Sequence, residues 1–217
     1  MLDYEQIQTG DNPKYCVIWL HGLGADGNDF LPIVPQLRLE QAIRFIFPHA
    51  PMQAVSINNG HVMRAWYDIV APDLLARQDT SGIQQSQRSI LELIQQQRDD
   101  GFATEEIILA GFSQGGAIAL HTGLRYTPAL GGIIALSTYL PLADQLDAET
   151  GDHNKNLPVL MAHGIHDPIV PIAAGIRSRQ QLISLGYSVE WQEYPMQHSV
   201  CNDEIDHISD WLNKLGH

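Results

Sequence analysis

The pentapeptide GFSQG at positions 111–115 constrains this chain more than any other feature. It follows the unbroken apolar run 107–110, which predicts a fully buried strand, and precedes a stretch of small residues and helix formers at 116–124. A serine between a strand and a helix, with a glycine two residues away on either side, is typical of a nucleophile elbow. Such a turn strains the serine backbone, and the glycines let neighbouring backbone approach without a Cβ clash. The hydroxyl of Ser113 then projects from the sheet edge at a helix N-terminus, where free N–H groups favour negative charge.

Apolar and amphipathic segments alternate along the chain. Buried strands are predicted at 15–20, 44–47, 107–110, 132–136, 158–162 and 188–194, and helices at 30–37, 81–98, 116–124, 172–185 and 203–215. Ser81 is the candidate N-cap of the long second helix, and Asp144, Asp147 and Asp152 are assigned to a surface loop. This alternation predicts one α/β domain over 1–217, with a mostly parallel central sheet and helices on both faces.

The composition argues against several classes of partner. With 12 basic and 25 acidic residues the formal net charge is −13, and no cluster of Lys and Arg offsets it, which disfavours a nucleic-acid partner. The first residues lack the basic and apolar regions of a secretory signal, and no apolar run approaches the roughly 20 residues that span a bilayer. We therefore expect a cytoplasmic protein without an integral membrane segment, in which Cys16 and Cys201 are free thiols.

Ser113 requires partners, because a serine hydroxyl is a poor nucleophile without a base and a third group that orients the base. In hydrolases with a nucleophile elbow, the acid and then the histidine follow the serine along the chain. Asp167 comes just after the predicted strand 158–162, and His198 just after the strand 188–194. Both fall at strand carboxyl ends, the edge of a parallel sheet where functional groups gather. The sequence predicts that these three residues form a catalytic triad.

Acyl transfer also requires backbone donors for the negative charge that develops on the carbonyl oxygen. One donor is expected to be the N–H of Gln114, the residue after the nucleophile. The second lies in the early glycine-rich loop 21–27, where Leu23 is the best candidate. The Gly-x-Gly-x-x-Gly string of that loop also mimics a dinucleotide-binding fingerprint. However, no acidic residue ends the next strand, as that fingerprint requires.

Two groups of polar residues offer alternative metal sites. His163, His166 and Asp167 could supply three ligands, but no fourth ligand is evident. The acidic residues around Asp26 lack the spacing of a calcium loop. We therefore predict neither a metal site nor a cofactor.

Seven motifs occur in series along nearly the whole chain. They are HGLG at 21–24, PHAP at 48–51, RAWYD at 64–68, GFSQGG at 111–116, LS-x-YLP at 136–141, HG-x-x-DP-x-VP at 163–171 and HS at 198–199. In this combination the chain resembles the small carboxylesterases of the α/β-hydrolase fold, a family that includes acyl-protein thioesterases and lysophospholipases. The resemblance implies an α/β-hydrolase fold without a large cap domain, and the same triad and oxyanion donors.

The segment 66–75 is similar to the loop that borders the acyl channel in relatives. On that basis the expected substrate-binding residues are Trp66, Ile69, Val70, Leu74 and Leu75. The alternative is that these side chains only pack on the core.

Two residues depart from the family pattern. Gln197, directly before His198, and Thr138 each stand where relatives usually have a glycine. We expect Gln197 to narrow the approach to His198 or to shift its loop, which affects the rate more than the chemistry.

Together these features predict a serine carboxylesterase that hydrolyses esters or thioesters of short to medium acyl chains through an acyl-enzyme. Lysophospholipids, acylated proteins and small-molecule esters are all candidate substrates, and the resemblance allows a homodimer. Within the enzyme class, an acyltransferase or a peptidase can use the same triad. The alternative from another class is a non-catalytic protein of hydrolase fold that uses the pocket to bind a ligand.

Overall fold

The structure, a computed structural model, describes residues 1–71, 77–150 and 154–215. The strands in these ranges are β1 (Tyr4–Gln8), β2 (Tyr15–Leu20), β3 (Ile43–Pro48), β4 (Met52–Val55), β5 (His61–Arg64), β6 (Ile107–Phe112), β7 (Gly132–Leu136), β8 (Val159–Gly164) and β9 (Val189–Tyr194). The α-helices are α1 (Thr80–Asp99), α2 (Gln114–Arg125), α3 (Ala143–Glu149), α4 (Ile172–Ser184) and α5 (Asn202–Lys214). Short 3-10 helices occupy Leu31–Gln36, Ser56–Asn58 and Thr104–Glu106. None of the helices in these ranges is both long and apolar enough to cross a bilayer.

Seven of these strands form one sheet in the order β1-β3-β2-β6-β7-β8-β9, and β4 pairs with β5 in a separate antiparallel hairpin. Only β1 is antiparallel to its neighbour in the large sheet. The strands β2, β7 and β8 are buried at every residue, which explains their continuous apolar sequences. The predicted mostly parallel sheet is therefore confirmed, and the carboxyl ends of β6, β8 and β9 lie at one edge.

Helices cover both faces of the sheet. Since successive strand residues point to opposite faces, Ile18 of β2 packs in a cluster with Ile90 of α1 and Ile118 of α2. Its neighbour Val17 packs on the other face with Trp211 of α5. The sheet thus has an apolar layer on each side.

Three strands and one α-helix were not predicted, because each buries few side chains. β1 is an edge strand with a half-exposed pattern, and the hairpin of β4 and β5 is largely exposed. Asp144 and Asp147 lie on helix α3 and not in a surface loop, so that prediction was wrong. Within α3 only Leu146 is buried, which leaves no apolar periodicity to read. Asp152 lies outside the described residues.

The N-cap of α1 also differs from the prediction. Asp79, and not Ser81, caps this helix, with its Oδ1 accepting from the Gly82 N–H at 3.0 Å. The Ser81 hydroxyl instead donates to the same carboxylate. A charged oxygen accepts more strongly than a hydroxyl, which favours the aspartate as the cap. The other oxygen of Asp79 accepts from the Asp68 N–H at 3.0 Å, so the cap also ties α1 to the segment after β5.

Helix α5 carries a carboxyl group that is completely buried. Glu204 is 0% exposed, and neither oxygen has a well-formed hydrogen bond within the described residues. Burial raises the pKa of Glu204 to about 8, and the nearby Cys201 backbone offsets this effect only in part. The side chain is therefore protonated in the folded protein at neutral pH.

We predict that Glu204→Gln changes the pH dependence of stability. The folded chain keeps this proton up to about pH 8, whereas the unfolded chain releases it near 4.5, so the free energy of unfolding falls as the pH rises through that window. Glutamine does not titrate. In the variant, the fall of the unfolding free energy with pH should therefore be less steep by up to about 1.4 kcal/mol per pH unit. Urea unfolding of both proteins across this range measures the slope. The exposed Glu40→Gln serves as the control, and equal slopes for wild type and Glu204→Gln would contradict the assignment.

Candidate active site

Ser113 occupies the turn between β6 and α2 in a strained backbone conformation. Its φ is 55° and its ψ is −120°, values that an L-residue rarely adopts and that cost on the order of 1–3 kcal/mol. Its N–H donates to the Leu136 carbonyl at 2.9 Å. Its carbonyl accepts from the Ala117 N–H at 3.1 Å and from the Thr138 hydroxyl at 2.6 Å. These bonds hold the turn in the geometry of a nucleophile elbow.

Two glycines allow the elbow to pack against the end of β2. A Cβ on Gly115 would lie 2.3 Å from the carbonyl oxygen of Leu20, a backbone atom that cannot move cheaply. A Cβ on Gly22 would lie 3.5 Å from the Cβ of Ser113 and closer still to the Phe112 ring. The glycine-rich loop that follows β2 therefore lies directly beside the serine.

Asp167 follows β8, and both of its carboxylate oxygens have partners. Oδ1 accepts from the N–H groups of Ile169 at 2.8 Å and Val170 at 2.9 Å. Oδ2 lies 2.6 Å from Nδ1 of His198, and the aspartate side chain is fully buried. A carboxylate can only accept, so Nδ1 carries the proton and Nε2 of His198 is the basic nitrogen. This tautomer is the one that a general base beside a serine requires.

His198 reaches this carboxylate because the loop after β9 lies against the end of β8. A Cβ on Gly164 would come 2.3 Å from the Gln197 carbonyl oxygen, so glycine permits the close approach. The His198 ring also packs on the ring of Phe112, with centroids 4.6 Å apart. Since Phe112 directly precedes Ser113, the imidazole lies beside the elbow.

The predicted oxyanion donors, Leu23 and Gln114, line the same cavity as Ser113. Within the described residues, neither backbone N–H donates to a protein acceptor. The next amide in the loop, that of Gly24, instead donates to the Arg64 carbonyl at 2.9 Å. The two predicted N–H groups therefore remain available for a substrate oxygen.

His21 holds the start of the glycine-rich loop that carries Leu23. Its Nδ1 donates to the Gly22 carbonyl at 2.7 Å, and its Nε2 accepts from the Ala50 N–H at 3.0 Å. Burial lowers the pKa of His21 to about 4, so the ring is neutral and can fill both roles. Its carbonyl accepts from the Trp66 indole N–H at 2.8 Å. This role of His21 was not predicted, although its position directly before the glycine-rich loop was visible in the sequence.

The Gln114 side chain links the elbow to the segment after β5. Its Oε1 accepts from the Trp66 N–H at 2.8 Å, and its Nε2 donates to the Tyr67 carbonyl at 2.7 Å. Both contacts are buried. Gln114 thus positions the cavity wall with its side chain.

A cavity of about 350 Å³ opens onto Ser113. Most of its lining is apolar and comes from several segments of the chain: Leu23, Ile57, Ile69, Pro168, Ile169 and Val170, with the rings of Tyr67 and Tyr139. Ile57 and Ile169 are also exposed to solvent, which makes the rim of the cavity apolar as well. Such a space suits a hydrocarbon chain attached to a carbonyl held at Ser113.

The five residues predicted to bind substrate have different positions. Ile69 lines the cavity, whereas Trp66 is buried and supports the glycine-rich loop through the bond from its indole N–H to the His21 carbonyl. Val70 borders a separate surface depression. Leu74 and Leu75 lie outside the described residues.

Both departures from the family pattern fit this geometry. The backbone of Gln197 lies outside the left-handed region and its side chain is exposed, so the position does not require glycine. The bond between His198 and Asp167 forms in its presence. Thr138 bonds the carbonyl of Ser113, a contact that a glycine could not make.

His163, weighed above as a metal ligand, has another role. Its Nε2 bonds the Val170 carbonyl at 2.8 Å and lies 3.6 Å from Oδ2 of Asp167. Burial lowers the pKa of His163, so a neutral ring donates to that carbonyl and supports the turn around Asp167. In the part of the chain that the structure describes, no three His, Cys, Asp or Glu side chains are arranged to hold a metal ion.

Residues 2–216 match the family model described as Phospholipase/Carboxylesterase. The chain belongs to this family. It is 42% identical over 209 residues to acyl-protein thioesterase 1 of Gibberella zeae. The alignment covers 91% of this chain and 89% of the Gibberella protein. It is 37% identical over 229 residues to acyl-protein thioesterase 1 of Cryptococcus neoformans. That alignment covers 97% of this chain and 96% of the Cryptococcus protein. The resemblance inferred from the seven motifs is confirmed.

Solved structures of relatives share the fold. Acyl-protein thioesterase 2 of Zea mays has a TM-score of 0.89 and 26% identity, and covers 99% of both chains. SOBER1 of Arabidopsis thaliana has a TM-score of 0.87 and 30% identity, covering 94% of this chain and 99% of that one. The chain is therefore a serine hydrolase of the esterase or thioesterase type, with an α/β-hydrolase fold and no large cap domain.

We predict that Gln114→Ala lowers both stability and activity although the backbone donor is retained. The substitution leaves the buried Trp66 N–H and Tyr67 carbonyl without partners, at roughly 1–3 kcal/mol for each group. Urea unfolding measures the loss of stability, and ester hydrolysis the loss of rate. The matched control is Gln84→Ala on the exposed face of α1, which should stay within about 0.5 kcal/mol of wild type. A Gln114→Ala protein as stable and active as this control would refute the positioning role.

Proposed function

We propose that this serine hydrolase cleaves carboxylic esters or thioesters of short to medium acyl chains through a Ser113-His198-Asp167 triad and an acyl-enzyme. The observation that carries the proposal is the 2.6 Å contact between His198 and Asp167, next to a serine in elbow geometry. An apolar cavity opens on the same serine. These observations support the assignment of a base, its orienting group, a nucleophile and an acyl site to one place in the structure.

In the first half of the reaction, Ser113 Oγ attacks the acyl carbonyl while Nε2 of His198 accepts its proton. Asp167 holds the imidazolium that forms, since its Oδ2 already faces Nδ1. The oxyanion of the tetrahedral intermediate accepts from the N–H groups of Leu23 and Gln114. Losing one donor of this kind typically costs about 2.7–4 kcal/mol of transition-state stabilisation.

Collapse of the intermediate breaks the bond to the leaving group and produces the acyl-enzyme. His198 gives its proton to the departing alcohol or thiol, and then removes a proton from the water that attacks the acyl-serine. A second tetrahedral intermediate releases the acid and restores Ser113. Every proton moves through His198, so no metal or cofactor is needed for this sequence.

The size and character of the cavity support an acyl substrate. Each methylene buried in the cavity contributes about 0.8 kcal/mol to the binding free energy. An apolar space of about 350 Å³ therefore favours acyl chains of moderate length. The apolar rim formed by Ile57 and Ile169 suits an acyl group that enters from solvent. The relatives are named acyl-protein thioesterases, which supports acylated proteins as substrates beside lysophospholipids and small esters.

The first prediction from this proposal concerns Ser113→Ala, assayed on p-nitrophenyl esters from acetate to palmitate. We expect kcat to fall on the order of 10⁵- to 10⁶-fold, because serine hydrolases lose about that much without their nucleophile. Ser184→Ala, an exposed serine at the end of α4, is the control and should match wild type. Comparing oxygen and sulfur esters of one acyl group then measures the ester or thioester preference. A wild type that neither hydrolyses these esters nor reacts with a fluorophosphonate would favour the ligand-binding alternative.

The second prediction concerns Asp167→Asn. The amide can donate to Nδ1 of His198, which moves the ring proton to Nε2 and leaves no base facing Ser113. We expect kcat to fall on the order of 10⁴-fold. Steady-state kinetics together with a thermal unfolding curve separate this loss from misfolding. Activity within tenfold of wild type in a folded variant would rule out the orienting role.

A further inference from the structure

Two buried tyrosine hydroxyls meet at the wall of the cavity. The oxygens of Tyr67 and Tyr139 are 2.8 Å apart, and the two residues are only 2% and 3% exposed. Both line the cavity of about 350 Å³ that opens on Ser113. Both also line a much smaller void of about 10 Å³. The tyrosine pair therefore borders two spaces of very different size.

The pair carries two hydroxyl protons but uses only one of them. Each phenol can donate one proton and also accept. In their mutual bond one hydroxyl donates and the other accepts, so the proton of the accepting hydroxyl still needs an acceptor. Within the described residues, neither oxygen has a second hydrogen-bond partner. Burial raises the pKa of Tyr139 to about 12 and that of Tyr67 well above its ordinary value, so ionisation does not remove the surplus donor.

Of the two spaces, the larger cavity is the one with room for a ligand that supplies the missing acceptor. The void of about 10 Å³ is at the lower limit of the volume that one water molecule occupies. The larger cavity has room for a ligand, and its lining is otherwise apolar apart from the exposed Asn58 and the catalytic segment at Ser113 and Gln114. A buried polar pair in an apolar acyl site is unfavourable for a plain hydrocarbon chain, because it leaves the donor unmatched.

We propose that the Tyr67–Tyr139 pair recognises an oxygen on the acyl chain of the substrate. The favoured substrates are then esters or thioesters of oxygenated acyl groups, with a ketone, hydroxyl or ether oxygen part-way along the chain. That oxygen accepts the second phenol proton, while the rest of the chain contacts the apolar walls. This inference rests on the proposed function, because the acyl group must occupy the cavity at Ser113.

The test compares p-nitrophenyl heptanoate with three analogues that carry a ketone at carbon 4, 5 or 6. We expect wild type to prefer the ketone at one or two of these positions, because a hydrogen bond from a fixed donor depends on distance. In the Tyr67→Phe/Tyr139→Phe double variant, the ratio of kcat/KM for the preferred ketone over the parent ester should fall roughly 3- to 10-fold. Each single variant keeps one hydroxyl and should retain part of the preference.

Tyr187→Phe is the matched control. Its hydroxyl is also buried and lacks a partner among the described residues, but it does not line the cavity. The ratio should stay at the wild-type value in this variant, and thermal unfolding curves should confirm that every variant folds.

Three outcomes would overturn the inference. The first is a ratio unchanged by the double substitution. The second is a wild type that shows no preference for any ketone position, or the same gain in kcat/KM at all three positions. This outcome is measured on wild type, so it does not depend on whether the double variant folds. In both cases the parent ester is still hydrolysed, so the proposed function stands. The acceptor of the second phenol proton is then water and not an oxygen of the acyl chain. If wild type hydrolyses none of the four esters, the proposed function fails and this inference fails with it.

Discussion

The strained backbone of Ser113 is the constraint on which the rest of the site depends. A positive φ at a non-glycine residue is unfavourable, and it persists only where the surroundings hold it. Here the carbonyl of Leu136 and the hydroxyl of Thr138 fix the peptide groups on both sides of the serine. Glycine at position 115 lets the end of β2 approach within van der Waals distance. The same turn places Ser113 and Gln114 side by side at the cavity, so one local distortion positions both the proposed nucleophile and a proposed oxyanion donor.

Around the elbow, neutral polar groups do the positioning. His21 stays unprotonated because it is buried, and its two nitrogens hold the loop of Leu23 to the segment after β3. The Gln114 amide fixes the segment that carries Tyr67. The Asp167 carboxylate is buried, and it receives two backbone N–H bonds and the imidazole. Neutral supports such as His21 and Gln114 avoid the cost of burying further charges.

The cavity combines an apolar lining with one polar feature, and both come from segments far apart in the chain. Tyr67 follows the hairpin of β4 and β5, while Tyr139 follows β7. Their hydroxyls meet because the segment after β5 packs against the segment after β7. We expect substrate selection to depend on how these two segments pack, whereas the proposed chemistry depends on the elbow, the glycine-rich loop after β2 and the loops after β8 and β9.

The sequence by itself determined the sheet, the elbow and the candidate triad, because each leaves a local signal. Continuous apolar runs mark strands buried on both faces, and the spacing of glycines around Ser113 marks the turn. Asp167 and His198 were identified by their positions after such runs, and the structure brings them into contact. Only the tertiary structure decided which side chains line the cavity, that Trp66 supports a loop, and that Tyr67 and Tyr139 share a hydrogen bond. These contacts join residues distant in sequence, and the direction of a side chain in an irregular loop is set by packing rather than by any periodic pattern.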